Sequence, residues 1–187
     1  MNNSRLVKIS KFLSKHLRHT PEEIGLKLAP GGWVFVDELL AACAKHKFTI
    51  TLAELQEVVN TNDKKRFSFD ETFTLIRANQ GHTTEVDLKL SPIVPPEILY
   101  HGTGKKSVES ILQTGLSKMS RHHVHLSSDI HTAKIVGARH GKPVVFVVNS
   151  QEMSQDGYVF YLSDNGVWLV DHVPPYFINI SFSLNCI

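Results

Sequence analysis

"SPIVPP", residues 91–96, is the stretch on which the reading of the fold turns. Proline fixes φ and removes a backbone donor, so three prolines in six residues suit neither a helix nor a central strand, and the run reads as a linker. The sequence is patterned differently on its two sides. Upstream, three helices are expected: one over about Leu6 to Leu17, a second beginning at Asp37 in "VDELLAACAKH", and a third opening with Thr51-Leu52-Ala53-Glu54. That opening is a capping box, in which the Thr51 hydroxyl accepts from the Glu54 amide and the Glu54 carboxylate accepts from the Thr51 amide. "RFSF" and "FTLIR" then follow as β-prone runs separated by Asp70-Glu71, which predicts a hairpin. Three helices and a closing hairpin suggest a winged-helix module.

Downstream, the helical period gives way to short strands: "EILYHGT", "HVHLS", "PVVFVVN", "YVFYL", "GVWLV" and "YFINISF". Two helices are expected among them, near Ser107 to Thr114 and Ser128 to Arg139, with Ser107 and Ser128 as N-caps and Gly115 as the glycine that ends the first. Asp164-Asn165-Gly166 between apolar runs is a strong hairpin signal. A strand-rich half with few helices argues for an α+β fold, with lobes over residues 1–91 and 92–187.

The totals are permissive. The chain has 187 residues, 42% hydrophobic and 20% charged, with a formal net charge of +2, so a polyanion partner would have to be met by a local basic patch. Cys43 and Cys186 are the only cysteines and make no close metal or redox pair, which suits a reducing compartment. The start, "MNNSRLVKIS", carries no apolar core of a signal, and no run of about 18 apolar residues occurs, so a cytoplasmic protein without a membrane partner is expected. No G-x-G-x-x-G after a strand, no G-x-x-x-x-G-K-[ST] and no G-x-S-x-G is found, which argues against a Rossmann or P-loop enzyme.

The chemistry-bearing residues fall in three places. On the first helix, Leu6, Ile9, Leu13 and Leu17 share one side while Lys8, Lys11, Lys15 and Arg18 share the other. Such a stripe suits a solvated face or a polyanion site, and Arg18 and His19 are also cations well placed at a helix C-terminus. Asp63-Lys64-Lys65-Arg66-Phe67 leads into the expected wing, where phosphate-positioning residues belong, though a charged loop reads the same way. The second half carries His101-Gly102-Thr103 and His125-Leu126-Ser127, each a histidine with a hydroxyl two residues later. Alternation puts Arg121, His123 and His125 on one strand face, and Gly102 is small enough for a ligand to approach the backbone. Four readings compete here: a metal site at His123 and His125, which lacks an evident third ligand; a metal-free RNA cyclic phosphodiesterase with His101 and His125 as base and acid; a cofactor cleft; and buried histidines hydrogen-bonded at strand ends.

Taken in order, "SKFLSKHLRH", "DKKRF", "IRANQGH", "LYHGT", "RHHVHLS", "VGARHGKPVV" and "NGVWL" resemble the NAD-dependent RNA 2'-phosphotransferases, also called tRNA 2'-phosphotransferases, in their bacterial form. The resemblance implies a winged-helix lobe that helps hold RNA and a C-terminal ADP-ribosyltransferase-like lobe that holds NAD. It implies a monomeric enzyme that uses no metal and consumes NAD to remove an internal 2'-phosphate from RNA. The RNA phosphate would attack the anomeric carbon of the nicotinamide ribose, releasing nicotinamide and leaving an ADP-ribosylated phosphate. The neighbouring 2''-hydroxyl would then attack phosphorus, releasing 2'-OH RNA and ADP-ribose 1'',2''-cyclic phosphate.

The family's Arg-His-Arg-Arg tetrad matches Arg18, His19, Arg66 and Arg121, so the helix end is implied to be a site facing the cleft between lobes. The NAD-side motifs match His101, Gly102, Thr103, His125, Leu126 and Ser127, and Arg139 in "GARHG" matches a further cofactor position. Val167 stands where protein-modifying members of the wider fold often carry a glutamate. Two departures, Thr83 where serine is common among relatives and the undistinctive Ser117 to Ser120, are expected to leave the tetrad untouched. A winged-helix nucleic-acid binder with an inert second lobe is the non-enzymatic alternative.

Overall fold

The computed structural model describes residues 3–62 and 64–181, and its chain divides into two compact units, Met1–Lys89 and Leu90–Ile187. Asp63, Cys186 and the end of "YFINISF" lie outside the described residues.

The first unit is built on the apolar stripe of α1 (Asn3–Arg18), in which Ile9, Leu13 and Leu17 are fully buried and Leu6 packs against the same core. The helix runs one residue beyond Leu17 and starts three before Leu6, its polar ends adding turns that apolar periodicity does not mark. A 3-10 turn at Pro21–Ile24 follows, closed by Gly25 in the left-handed region at φ 73°. Then come β1 (Val34–Phe35), α2 (Val36–Lys45), α3 (Leu52–Thr61), β2 (Phe67–Phe69) and β3 (Leu75–Ala78). The capping box is present at α3: Glu54 N donates to Thr51 Oγ1 at 3.2 Å and Thr51 N donates to Glu54 Oε2 at 2.9 Å. The expected hairpin is also present, with Phe67 opposite Ala78 and Phe69 opposite Ile76. Its turn is longer than Asp70-Glu71 alone: the Asp70 carboxylate accepts from Leu75 N at 2.7 Å and caps the whole loop. β1 joins the other edge of β3, Val34 opposite Ile76, to give an antiparallel sheet of order β1-β3-β2. Leu39, Cys43, Leu55, Phe67 and Ile76 close the core, and burial pushes the Cys43 thiol up to about 11.

The second unit contains β4 (Leu99–Gly104), α4 (Val108–Thr114), β5 (Leu116–Ser117), β6 (Val124–Leu126), α5 (Ile130–Gly137), β7 (Pro143–Val148), α6 (Ser150–Gln155), β8 (Phe160–Leu162), β9 (Trp168–Val170), β10 (His172–Val173) and β11 (Ile178–Ile180). They form antiparallel sheets of order β11-β7-β4 and β6-β9-β8, with the short pair β10-β5. Tyr100 and Ser127 exchange amide bonds of 2.8 Å in both directions, tying the edge of β4 to the end of β6. Phe146, Phe160, Phe177, Leu99 and Met153 fill the core. Mixed helix and sheet in both units makes the chain α+β.

Several local expectations are met and others corrected. Gly166, at φ 77°, closes the β8–β9 turn by donating to Ser163 O at 2.8 Å, and Gly115 ends α4 at φ 79°. Ser107 precedes α4, but a 3-10 turn at Lys105–Ser107 holds it in helical conformation and its hydroxyl caps nothing. The cap of α5 is Asp129 and not Ser128: its carboxylate accepts from Thr132 N at 2.7 Å and His131 N at 3.3 Å. The proline run is no free tether. Ile93 N donates to Phe160 O at 2.9 Å, so Pro92 and Ile93 border β8, a sheet-edge position that proline tolerates, and Pro96 O accepts from Ser150 Oγ of α6 at 2.7 Å.

Candidate active site

The C-terminal end of α1 carries Arg18 and His19, and the chain returns to it twice. The loop from α3 brings Arg66, and the turn after β3 brings residues 79–84. Arg18 does not join Lys8 and Lys11 in solvent. Its guanidinium lies 5.9 Å above the Phe67 ring, with Nη2 donating to Arg66 O at 3.4 Å. Lys15, between them on the stripe, is paired with Glu23. The stripe is thus a solvated face for most of its length and a built site at one end.

Arg66 is held by Asn62, whose Oδ1 accepts from Arg66 Nη1 and from Lys64 N, both at 3.1 Å, while its Nδ2 donates to Ser10 Oγ of α1 at 3.2 Å. Asn79, 3% exposed, donates through Nδ2 to Lys65 O at 2.7 Å and through its amide to Arg66 O at 2.9 Å. Lys65 sits at φ 39°, a left-handed conformation costly for lysine, and these bonds to its own and the next carbonyl hold it there. His19 Nδ1 lies 2.9 Å from Thr83 Oγ1, and the Thr83 and Thr84 amides donate to Arg18 O at 2.9 and 3.2 Å. Thr83 therefore touches the tetrad, contrary to the sequence reading, because the chain turns back on the helix end after β3. Asn62 carries no signal in the sequence beyond being a polar residue near a loop; Asn79 lies within "IRANQGH" and Thr83 directly after it, but neither shows there what its side chain holds.

In the second unit, Gly102 and Gly104 alternate with His101 and Thr103 along β4, and the two pairs face opposite ways. On the glycine face, a Cβ at Gly102 would lie 1.7 Å from Ala133 O of α5, and one at Gly104 would lie 2.1 Å from His140 O of the 3-10 turn Ala138–His140. The side chain missing at Gly102 thus makes room for a helix backbone and not for a ligand. Main-chain alternation places the Gly102 N–H and C=O on the edge of β4 where Tyr100 meets Ser127.

On the other face, His101 Nδ1 donates to His125 O at 3.0 Å, leaving the acceptor lone pair on Nε2. Burial pushes His101 below its ordinary pKa, as do nearby His140 and Arg121, while the His125 carbonyl opposes them. Arg121 Nη1 lies 3.2 Å from His125 Nδ1, so those two residues meet as alternation predicts although Arg121 precedes the strand. Ser117 to Ser120 also touches the tetrad, since Lys118 O accepts from Arg121 N at 3.0 Å.

The remaining residues of the two triplets are placed more simply. Leu126 is a core residue at 2% exposure, and the Ser127 hydroxyl accepts from Asp129 N at 3.1 Å at the start of α5. Arg139 is exposed on the turn after α5. His123 packs edge-on to Tyr161 at 5.5 Å, and among the described residues no group of three or more His, Cys, Asp or Glu side chains is disposed to hold a metal ion. Among them, too, no helix is long and apolar enough to cross a membrane.

Chemically, the first unit offers two arginines and an imidazole at one helix end, a donor set suited to a phosphate. The second offers a neutral imidazole beside an exposed guanidinium.

Comparison with known proteins places the chain in a family. Residues 4–172 match the model of the RNA 2'-phosphotransferase, Tpt1 / KptA family. The chain is 70% identical over 178 residues to a protein of Nostoc punctiforme named "Probable RNA 2'-phosphotransferase", covering 95% of this chain and 98% of the other. Proteins of the same name from Trichormus variabilis and Herpetosiphon aurantiacus are 68% and 54% identical, covering 96% and 95% of this chain and 99% and 98% of theirs. At this identity and coverage, with the matched segment spanning both units, the chain belongs to the RNA 2'-phosphotransferase, Tpt1 / KptA family.

Proposed function

We propose that the protein removes an internal 2'-phosphate from RNA by transferring it to NAD. In this reading Met1–Lys89 is a winged-helix lobe that holds RNA, and Leu90–Ile187 an ADP-ribosyltransferase-like lobe that holds NAD. The observation that carries it is the assembly of Arg18 and His19 with Arg66, 48 positions from Arg18, at one helix end through hydrogen bonds that involve Asn62, Asn79 and Thr83. Three helices with a sheet-edged hairpin support the first lobe assignment, and the paired antiparallel sheets support the second.

The RNA phosphate is already anionic, so attack on the anomeric carbon of the nicotinamide ribose asks the protein mainly for orientation. Arg18 and Arg66 would hold its oxygens by paired, planar bonds. The residues of β4 and β6 suit the cationic, hydrogen-bonding nicotinamide ring of NAD: His101 is kept neutral and does not repel it, and the Gly102 main chain lies on a strand edge beside His101. His101, Gly102, Thr103, His125, Leu126, Ser127 and Arg139 form the NAD side of the proposal. In the second step the ribose 2''-hydroxyl of the ADP-ribosylated RNA displaces the RNA 2'-oxygen at phosphorus, giving ADP-ribose 1'',2''-cyclic phosphate. Negative charge gathers on the phosphoryl oxygens there, and Arg121 stabilises it. His19 contacts the phosphate or moves the proton between the two oxygens.

A monomer working in the cytoplasm on RNA suits this chemistry. The test is incubation of the protein with a short RNA bearing one internal 2'-phosphate, with and without NAD and with EDTA present, followed by mass analysis. Loss of phosphate only with NAD, together with ADP-ribose cyclic phosphate, is expected. Unchanged RNA in a folded sample that still binds it would overturn the reading in favour of a binding protein.

A further inference from the structure

Thr83 stands at the end of α1 because the last carbonyls of a helix lack intrahelical donors. The Thr83 and Thr84 amides supply two at Arg18 O, and this fixes the Thr83 hydroxyl beside His19 Nδ1 at 2.9 Å. His19 is exposed, and the bond with Thr83 is a restraint on the orientation of its ring. In an imidazole, the partner of one nitrogen decides the tautomer and the direction of the other. A carbonyl in Thr83's place would only accept and would require Nδ1–H. A hydroxyl donates to a bare Nδ1 and accepts from a protonated one, so it holds the ring in either charge state.

We propose that Thr83 is a positioning residue for His19: its hydroxyl fixes Nδ1, so that Nε2 is the nitrogen that meets the RNA phosphate. This rests on the role of His19 in the phosphate transfer proposed above. The two amide bonds to Arg18 O are main-chain bonds and survive substitution of the side chain, which separates the hydroxyl's role from that of the turn.

The experiment compares wild type, Thr83→Val and Thr83→Ser in single-turnover reaction with 2'-phosphorylated RNA and NAD, and by nitrogen-15 NMR of the imidazoles, with His19 assigned from a His19→Gln sample. Thr83→Val is expected to slow the single-turnover step by about tenfold, the scale of one hydrogen bond to an ionisable group. It should leave KM for NAD and the melting temperature unchanged, and shift the His19 nitrogen signals away from their wild-type positions. Thr83→Ser should recover most of the rate and the wild-type signals. A Thr83→Val protein with wild-type rate and unaltered His19 signals would overturn the proposal, as would a Thr83→Ser protein as impaired as Thr83→Val, which would assign the effect to the methyl group. Should wild type prove inactive on the RNA, the transfer reading fails by itself, and the NMR comparison still decides whether Thr83 sets the His19 ring.

Discussion

Gly102→Ala separates two physical roles for the same glycine. The added methyl would lie 1.7 Å from Ala133 O and 2.5 Å from Ala133 C, both backbone atoms of α5, so no side chain can swing away. Restoring even the 3.0 Å below which real Cβ contacts essentially never occur requires α5 and β4 to part by more than an ångström along that line. The helix is held close over the next turn as well, because a Cβ at Gly137 would lie 2.9 Å from both Thr103 N and Thr103 O. Overpacking of a close contact costs about 1–3 kcal/mol, and a backbone-to-backbone clash belongs at the upper end. At about 4 °C per kcal/mol for a unit of roughly 100 residues, the unfolding of Leu90–Ile187 should fall by about 12 °C. Calorimetry of the full chain reads this directly. A glycine needed only for ligand approach predicts the reverse pattern, an unchanged melting temperature with weakened NAD binding. That pattern would refute the packing of α5 on β4 described above.

Three further outcomes follow from the same structure. Arg121→Ala should let ADP-ribosylated RNA accumulate, because its guanidinium is assigned to the step at phosphorus; complete, fast turnover seen by mass analysis would reject that role. Glu54 is held below the usual carboxylate range first by its hydrogen bond from Arg5 and then by the Thr51 amide. A depressed carboxylate stabilises above its unfolded pKa and loses that contribution as pH falls through the folded value. Glu54→Gln should therefore melt lower than wild type at pH 7 and converge with it near pH 3, and a difference that persists in acid would refute the pairing. His101 is depressed chiefly by burial, so its ring should titrate below about 6.5, the ordinary histidine value, in proton NMR. Its stabilising contribution is present above that pH and is lost on acidification; a midpoint above 7 would contradict the buried, carbonyl-bound ring.

The sequence by itself determined whatever depends on neighbours along the chain. The 3.6-residue stripe of Leu6, Ile9, Leu13 and Leu17 specifies α1, Thr51 and Glu54 specify the start of α3, and Asp164-Asn165-Gly166 specifies the β8–β9 turn, because each signal is complete within a few residues. Two-residue strands such as β1, β5 and β10 are too short to show alternation and exist only through their partners. The candidate residues at Arg18, His19, Arg66, His101, Arg121 and His125 were legible as motifs, but apart from the meeting of Arg121 with His125 on one strand face, what each touches was not. Only the tertiary structure decided that Thr83 meets His19 across 64 positions of sequence, that Asn62 and Asn79 hold the Arg66 loop, and that the glycines of β4 make room for α5. Such contacts join residues far apart in the chain, and no local period or cap encodes which polar side chain a returning turn will deliver to a helix end.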